Sequence, residues 1–470
     1  MRKEIFGFLA AGLLLASPVI AQEVPQATAP AYNCDFQPSC EVSPGVYGKI
    51  SSPVISKFNL SIGGFVKLDY AYNSVNFGSY GALTPGSGAI PKTTSLQGQA
   101  DQSIFTARQS RFWLKVAGPG FLGAKTNALI EVDFYGTPAD AAESPQIRMR
   151  QAWGSIDWAN TSVLFGQAYD VFGPMVASTI DFRSGAAFGT PNNPRVPQLR
   201  VTQKINLNPE NSLKLVVGLQ DPNQNGNNNA GGTLATGSFG TAVNVAGQAM
   251  WVSKALGVAP GYWGLPMNSL TAGLFGLYGS EKVILGNTGN KAVDSWGYGI
   301  YTFVPILKSK DGRSRAMTMS FEGQAYMAAN MAFNSATADT IVGTTANPKA
   351  AKGYGVAGQV IFYPTQDLGI TAGYQRRNAY NYNDYLTRNV TLATLPSAVT
   401  LTGQNYIKSS TNVFVNVSYD LNAAIRISAE YQNVNTQYGN STDKPTSTSL
   451  AGTSGTGTAN IGRLAFLYFF

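Results

Sequence analysis

Ile461-Gly462-Arg463-Leu464-Ala465-Phe466-Leu467-Tyr468-Phe469-Phe470, the last ten residues, carry an apolar side chain at every second position: Leu464, Phe466, Tyr468 and Phe470. Successive side chains of an extended strand point to opposite faces, so these four make one oily face. Arg463 and Ala465 open the other face, before Leu467 and Phe469 blur it. A strand that ends on an exposed aromatic needs an apolar surface to cover it. Alternation alone is common among strands of every kind. It decides the fold only alongside an export signal, the absence of membrane helices and many more strands of the same type.

The start of the chain supplies the export signal. Arg2 and Lys3, the apolar run from Ile5 to Ala16 and the small-residue site Val19-Ile20-Ala21 read as a secretory signal peptide cleaved near Ala21. The run falls short of the ~20 apolar residues that a spanning helix needs. Residues 22–57 follow as a periplasmic or plug-like N-terminal extension, or a disordered lead-in, with five prolines and both cysteines of the chain, Cys34 and Cys40. In an oxidising envelope compartment these two are expected to pair, closing a small loop worth ~2 kcal/mol by chain entropy.

Composition narrows the class. Charged residues are 12% of the 470, against about a quarter in a soluble domain. Aromatics at 11% and 51 glycines separate the chain from disordered sequences as well. No apolar run after the signal is long enough for a membrane helix. An unpaired peptide group in hydrocarbon costs several kcal/mol, so a helix-free exported chain spans a membrane only as a closed sheet. The chain has no histidine. That removes haem attachment of the C-x-x-C-H type and any nucleophile activated by His, and two thiols are too few for a metal site. No enzyme activity, cofactor, metal or nucleic-acid partner is expected.

From Phe58 onward the pattern predicts an all-β, transmembrane antiparallel β-barrel of about 16 strands over residues 58–470. Strands are expected near 58–72, up to 117, 125–135, 147–157, from 162, 197–206, 213–220, 243–253, 268–278, 292–304, 315–327, 352–363, 368–377, 412–419, 424–433 and 458–470. Short periplasmic turns such as 364–367 and 420–423 alternate with long external loops such as 221–241, 328–351, 378–410 and 434–457. An even count returns the final strand to the periplasm. That strand must then pair with the first, because two open edges cannot stay in lipid.

Sixteen strands enclose a lumen wide enough for an aqueous channel unless a segment folds into it. The connection from Phe172 to Pro197 is expected to fold inward, since it is long and holds Asp181, Arg183 and Arg195 together with Phe182, Ala186, Ala187 and Phe188. Alternation turns Arg111 and Lys115, then Glu131 and Asp133, then Arg148 and Arg150, then Arg200 and Lys204 toward the lumen. Lys214, Arg426 and Arg463 share that inward phase. The candidate pore and constriction residues are therefore Arg111, Lys115, Glu131, Asp133, Arg148, Arg150, Asp181, Arg183, Arg200 and Lys204. These charges either pair across strands and stiffen the wall or leave a net positive path that favours anions. Around Arg108 and Gln151 the alternation is ambiguous and a bulge is expected.

Five segments carry a resemblance: TARQSRFWLKV (Thr106 to Val116), ALIEVDFYG (Ala128 to Gly136), RMRQAWGS (Arg148 to Ser155), LFGQAYDVF (Leu164 to Phe172) and RVPQLRVTQ (Arg195 to Gln203). They resemble the opening strands of the DcaP-like outer-membrane porins. The resemblance implies a homotrimer in the outer-membrane lipid that takes up small anionic solutes such as dicarboxylates. It also implies solute contacts from inward arginines, which by position are Arg111, Arg148, Arg150 and Arg200. Residues 22–57 lack heptads and so depart from the coiled-coil extension that family members can carry. The alternative is a surface-display or adhesion barrel, using loops such as 378–410 with Tyr380, Tyr382 and Tyr385.

Overall fold

The computed structural model describes residues 58–77, 89–136, 145–182, 188–191, 194–222, 242–284, 290–331, 336–337, 341–344, 347–381, 389–392, 399–402, 406–439 and 455–470. The signal peptide, Cys34, Cys40 and Arg183 lie outside the described residues. Sixteen strands form the barrel: β1 (Asn59–Asn73), β2 in two segments (Gln102–Thr106 and Arg111–Ala117), β3 (Lys125–Gly136), β4 (Gln146–Asp157), β5 (Thr161–Tyr169), β6 (Arg195–Asn206), β7 (Asn211–Gln220) and β8 (Asn244–Pro260). The second half comprises β9 (Met267–Ile284), β10 (Asn290–Leu307), β11 (Thr318–Ala329), β12 (Lys352–Tyr363), β13 (Leu368–Ala379), β14 (Tyr406–Asp420), β15 (Ile425–Gly439) and β16 (Gly455–Phe469). Among the described residues no helix is long and apolar enough to cross a membrane.

Each strand pairs antiparallel with the one before it, and β16 closes onto β1 from Phe65 opposite Phe469 to Asn73 opposite Ile461. Closure leaves every ladder partnered, which hydrocarbon demands. Val66, Tyr70, Ile130, Phe165, Leu274, Ile300, Leu464, Phe466 and Tyr468 stand exposed on the outer wall. Leu467 and Phe469 face the opposite way. They pack inside the barrel with Phe65, Trp113, Leu129, Ile180, Trp263 and Ala465, so the inward face of the last strand is apolar because a buried cluster sits on it.

Several strands run farther than their apolar stretch. β9 extends to Ile284, β10 starts at Asn290, β14 starts at Tyr406 and β15 reaches Gly439. Their outer ends mix polar and charged residues such as Ser280, Lys282, Lys291, Asp294, Ser409, Thr411, Asn435 and Gln437 with scattered apolar ones, and the ladder continues there above the apolar band without a regular alternation to announce it. Two irregularities fall where the alternation is ambiguous. Ala107 to Ser110, four residues between the segments of β2, lie opposite only Val66 to Leu68 of β1. In β4, Gln151 pairs with Glu131 and Met149 with Val132, leaving Arg150 as the bulged residue between them.

Candidate functional site

The connection between β5 and β6 enters the lumen. Gly173 makes the inward turn at φ +77°, and a Cβ there would collide with the Pro191 ring on the returning limb. Gly173→Ala is expected to cost about 1–2 kcal/mol from the left-handed backbone alone, read as a lower unfolding temperature in detergent. Just before this turn, Phe172 packs edge-on to Phe275 and Tyr326, at centroid distances of 5.1 and 6.0 Å. Phe182 meets Trp263 at 5.1 Å. Trp263 belongs to the turn between β8 and β9, so this cluster is filled from the periplasmic end as well.

A backbone inside a barrel needs partners that water no longer supplies. Wall side chains provide them. Gln248 donates to the Val171 carbonyl at 2.5 Å, and Gln324 accepts the Met175 amide at 3.1 Å. Gln359 accepts the Ser178 amide at 2.9 Å and donates to the Val176 carbonyl at 3.2 Å, while also donating to Glu322 at 2.7 Å. Asn416 donates to the Ser178 carbonyl at 2.6 Å, and Glu430 accepts the Ile180 amide at 2.8 Å. The Lys67 ammonium donates to the Ile180 carbonyl at 2.6 Å. The loop therefore crosses from the β8 wall to β1, held by amide side chains that the sequence reading passed over. Their signal was present: Gln324, Gln359 and Asn416 occupy inward positions where a water-filled wall needs no amide in particular.

The crossing loop divides the interior. From β10 to β16 the described inward side chains are buried with few exceptions. Partial exposure persists on β2 and β4 to β8, at Lys115, Arg148, Trp153, Arg200, Lys214 and Gln248. The open part of the lumen thus borders β2 to β8.

Charge is distributed unevenly over the two parts. Arg148 grips Asp133 with Nε at 2.9 Å and Nη2 at 2.6 Å, while 38% of its side chain stays exposed. Arg150 binds Glu131, Asp133 at 2.8 Å and the Tyr169 hydroxyl at 2.8 Å. Arg111 lies 3.4 Å from Glu131. Both acids are consumed by three arginines in this cluster. Arg150→Ser is expected to destabilise by about 1–3 kcal/mol, an unsatisfied-group cost moderated by the remaining arginines. Thermal unfolding would register it.

Two inward arginines do not front the open lumen, contrary to their expected place in a positive path. Arg463 pairs with Glu430 at 2.9 Å and Asp181 at 3.3 Å, with none of these side chains exposed. Arg426 binds Asp420 at 2.5 Å, which also holds Arg315 at 2.9 Å. Alternation sets the direction of a side chain but does not say which loop lies against it. Asp181 accordingly belongs to the loop's anchorage. Arg200 stands differently: it is only partly buried, flanked by Leu164 on β5 and Gly218 on β7, and makes no hydrogen bond or ion pair among the described residues. Lys204 and Lys214 face each other at the periplasmic end of β6 and β7. Among the described residues no group of three or more His, Cys, Asp or Glu is placed to hold a metal ion.

Comparison with solved structures places this architecture. The DcaP outer-membrane channel of Acinetobacter baumannii superposes with a TM-score of 0.62 over 90% of this chain and 100% of that one, at 18% identity. The barrel has the DcaP fold. OprB of Pseudomonas putida follows with a TM-score of 0.50, 12% identity and coverage of 87% and 94%. No protein-family model and no curated protein matches the sequence. The likeness to DcaP is one of fold, and what passes through the barrel must be argued from the lumen residues.

Proposed function

We propose that the chain is an outer-membrane porin that lets small anionic solutes, dicarboxylates among them, diffuse passively through a water-filled, basic lumen, with no covalent chemistry. One observation carries this: the partly exposed basic groups on β2 and β4 to β8, Lys115, Arg148, Arg200 and Lys214, outnumber the partly exposed acid Asp157 on β4, while Glu131 and Asp133 are occupied by arginines. Basic groups along a narrowed path offset the desolvation of an anion and raise its local concentration. Arg111, Arg148, Arg150 and Arg200 are the arginines that the family resemblance assigns to solute contact. Among the described residues, Arg200 is the one of these four whose guanidinium makes no hydrogen bond or ion pair. In the mature protein, residues 1–21 are removed, residues 22–57 form a periplasmic extension stapled by Cys34 and Cys40, and the barrel assembles as a homotrimer in the bacterial outer membrane.

Purified protein in planar bilayers tests the proposal. Stepwise conductance is expected, with a reversal potential under a KCl gradient that favours chloride, and dicarboxylates are expected to permeate or to block transiently. Cation preference would refute the anion path. Absence of any conductance would refute the porin and favour a barrel that displays loops.

A further inference from the structure

β11 ends at Ala329, level with Trp296 of β10 and Lys352 of β12. β10 continues outward for another six residues to Asn290, about 20 Å at strand rise. The short strand Asn347–Ala350 and the start of the connection after β13 close the other side. Above the end of β11 this leaves a recess of about 280 Å³, lined by Asp294 and Trp296 on one side and by Lys349, Lys352 and Asn381 on the other. Asn381 shapes it by accepting the Lys352 amide at 2.9 Å and donating to the Ala350 carbonyl at 3.1 Å. Lys291 braces the upper edge through Asn347 at 2.8 Å.

The height and direction of the recess identify its surroundings. Trp296 is stacked on Tyr298 at 5.7 Å and 13°. Tyr298, Tyr278 on β9 and Tyr354 on β12 are exposed on the outer wall beside it. Such a belt marks the boundary between hydrocarbon and headgroups. Lys349 and Lys352 lie at the outer end of that belt, where the headgroups of the external leaflet sit. Among the described residues at the recess, with Lys291 they set three positive charges against the carboxylate of Asp294.

We propose that this recess holds the phosphorylated sugar headgroup of a glycolipid of the outer leaflet. Ammonium groups of Lys349 and Lys352 donate to phosphate oxygens. The sugar ring lies against the Trp296 indole, Asp294 accepts a sugar hydroxyl, and the acyl chains descend over Tyr298, Tyr278 and Ile300. The volume suits a headgroup alone, at the small end of ligand clefts, while the chains stay on the apolar wall.

The test measures the unfolding temperature of the detergent-purified protein with three additives: a bisphosphorylated lipid A-type glycolipid, its dephosphorylated counterpart, and inorganic phosphate. Only the phosphorylated glycolipid is expected to raise it. The double variant Lys349→Ser, Lys352→Ser is expected to bind about 30-fold more weakly, at the usual contribution of a basic residue near anionic lipid, with conductance unchanged. An equal response to the dephosphorylated glycolipid would reduce the recess to ordinary lipid contact. A full response to inorganic phosphate would make it a free-anion site. Wild-type affinity in the double variant would also overturn the proposal. Should that variant fail to fold, the comparison of the two glycolipids on the unsubstituted protein decides by itself.

Discussion

Replacing Arg200 with serine is expected to lower the chloride-over-potassium permeability ratio by about fivefold or more, the largest selectivity change from any single substitution in the lumen. A unit charge 4 Å from a passing anion contributes about 1 kcal/mol in bulk water and ~4 kcal/mol at the effective dielectric of a protein surface. The lower figure alone corresponds to about fivefold. Arg200 is partly exposed on the open side and has no ion pair among the described residues that would cancel its field. For the same reason its removal orphans no acid, so the unfolding temperature is expected to stay within the range of a neutral substitution. Reversal potentials at two salt concentrations supply the measurement. The difference between Arg200→Ser and the parent should shrink from 0.1 M to 1 M KCl, as the screening length falls from about 10 to about 3 Å. An unchanged ratio at low salt would show that solutes do not pass Arg200.

Glu430→Ala is expected to produce the largest structural effect. This carboxylate accepts the Ile180 amide at 2.8 Å, Asn416 at 3.2 Å, Gln432 at 2.6 Å and Arg463 at 2.9 Å. Its removal leaves a buried guanidinium with Asp181 at 3.3 Å as its remaining carboxylate in this cluster, and takes the acceptor from the Ile180 amide, so that the far end of the crossing loop is held by Lys67 and Asn416 on its carbonyls and by Arg463 on Asp181. Breaking a buried ion pair on one side costs about 3–5 kcal/mol. Much of that should appear as local release of the loop instead of loss of the barrel, because the β15 and β16 ladders are untouched. Single-channel conductance should therefore rise and become noisier, together with a lower unfolding temperature. Glutamine is not a neutral replacement, since its NH2 group would meet the Ile180 amide or Arg463 donor to donor. A variant that loses stability at constant conductance would show that the loop is held without this anchor.

The strand grammar was legible in great detail. Sixteen strands, the long connections and the closure of β16 on β1 all follow from period-two alternation and from the requirement that no edge face lipid. Bulges lie at Ala107 to Ser110 and at Arg150, where the pattern had become ambiguous, because a bulge is itself a break in alternation. The strand ends were less legible. Above the membrane the ladder of β14 and β15 runs on through Ser409, Ser410, Thr411 and Asn435 to Gln437, and polar residues on both faces give no period to count.

The candidate site was legible by direction and not by environment. Arg200 and Arg463 read alike in the sequence, as basic residues at inward positions of alternating strands. One remains partly open, and the other is sealed against Glu430 and Asp181. Lys67, Gln324, Gln359 and Asn416 also occupy inward positions, yet they serve as hydrogen-bond partners for a segment distant in the chain. Side-chain direction in a strand is a local consequence of backbone geometry, so the sequence by itself determined the barrel, its topology and the charges turned inward. Whether an inward charge meets water, a carboxylate or a peptide group depends on contacts across the lumen made by residues 171–182. Those contacts join positions far apart in the chain, leave no local period, and were decided only by the tertiary structure.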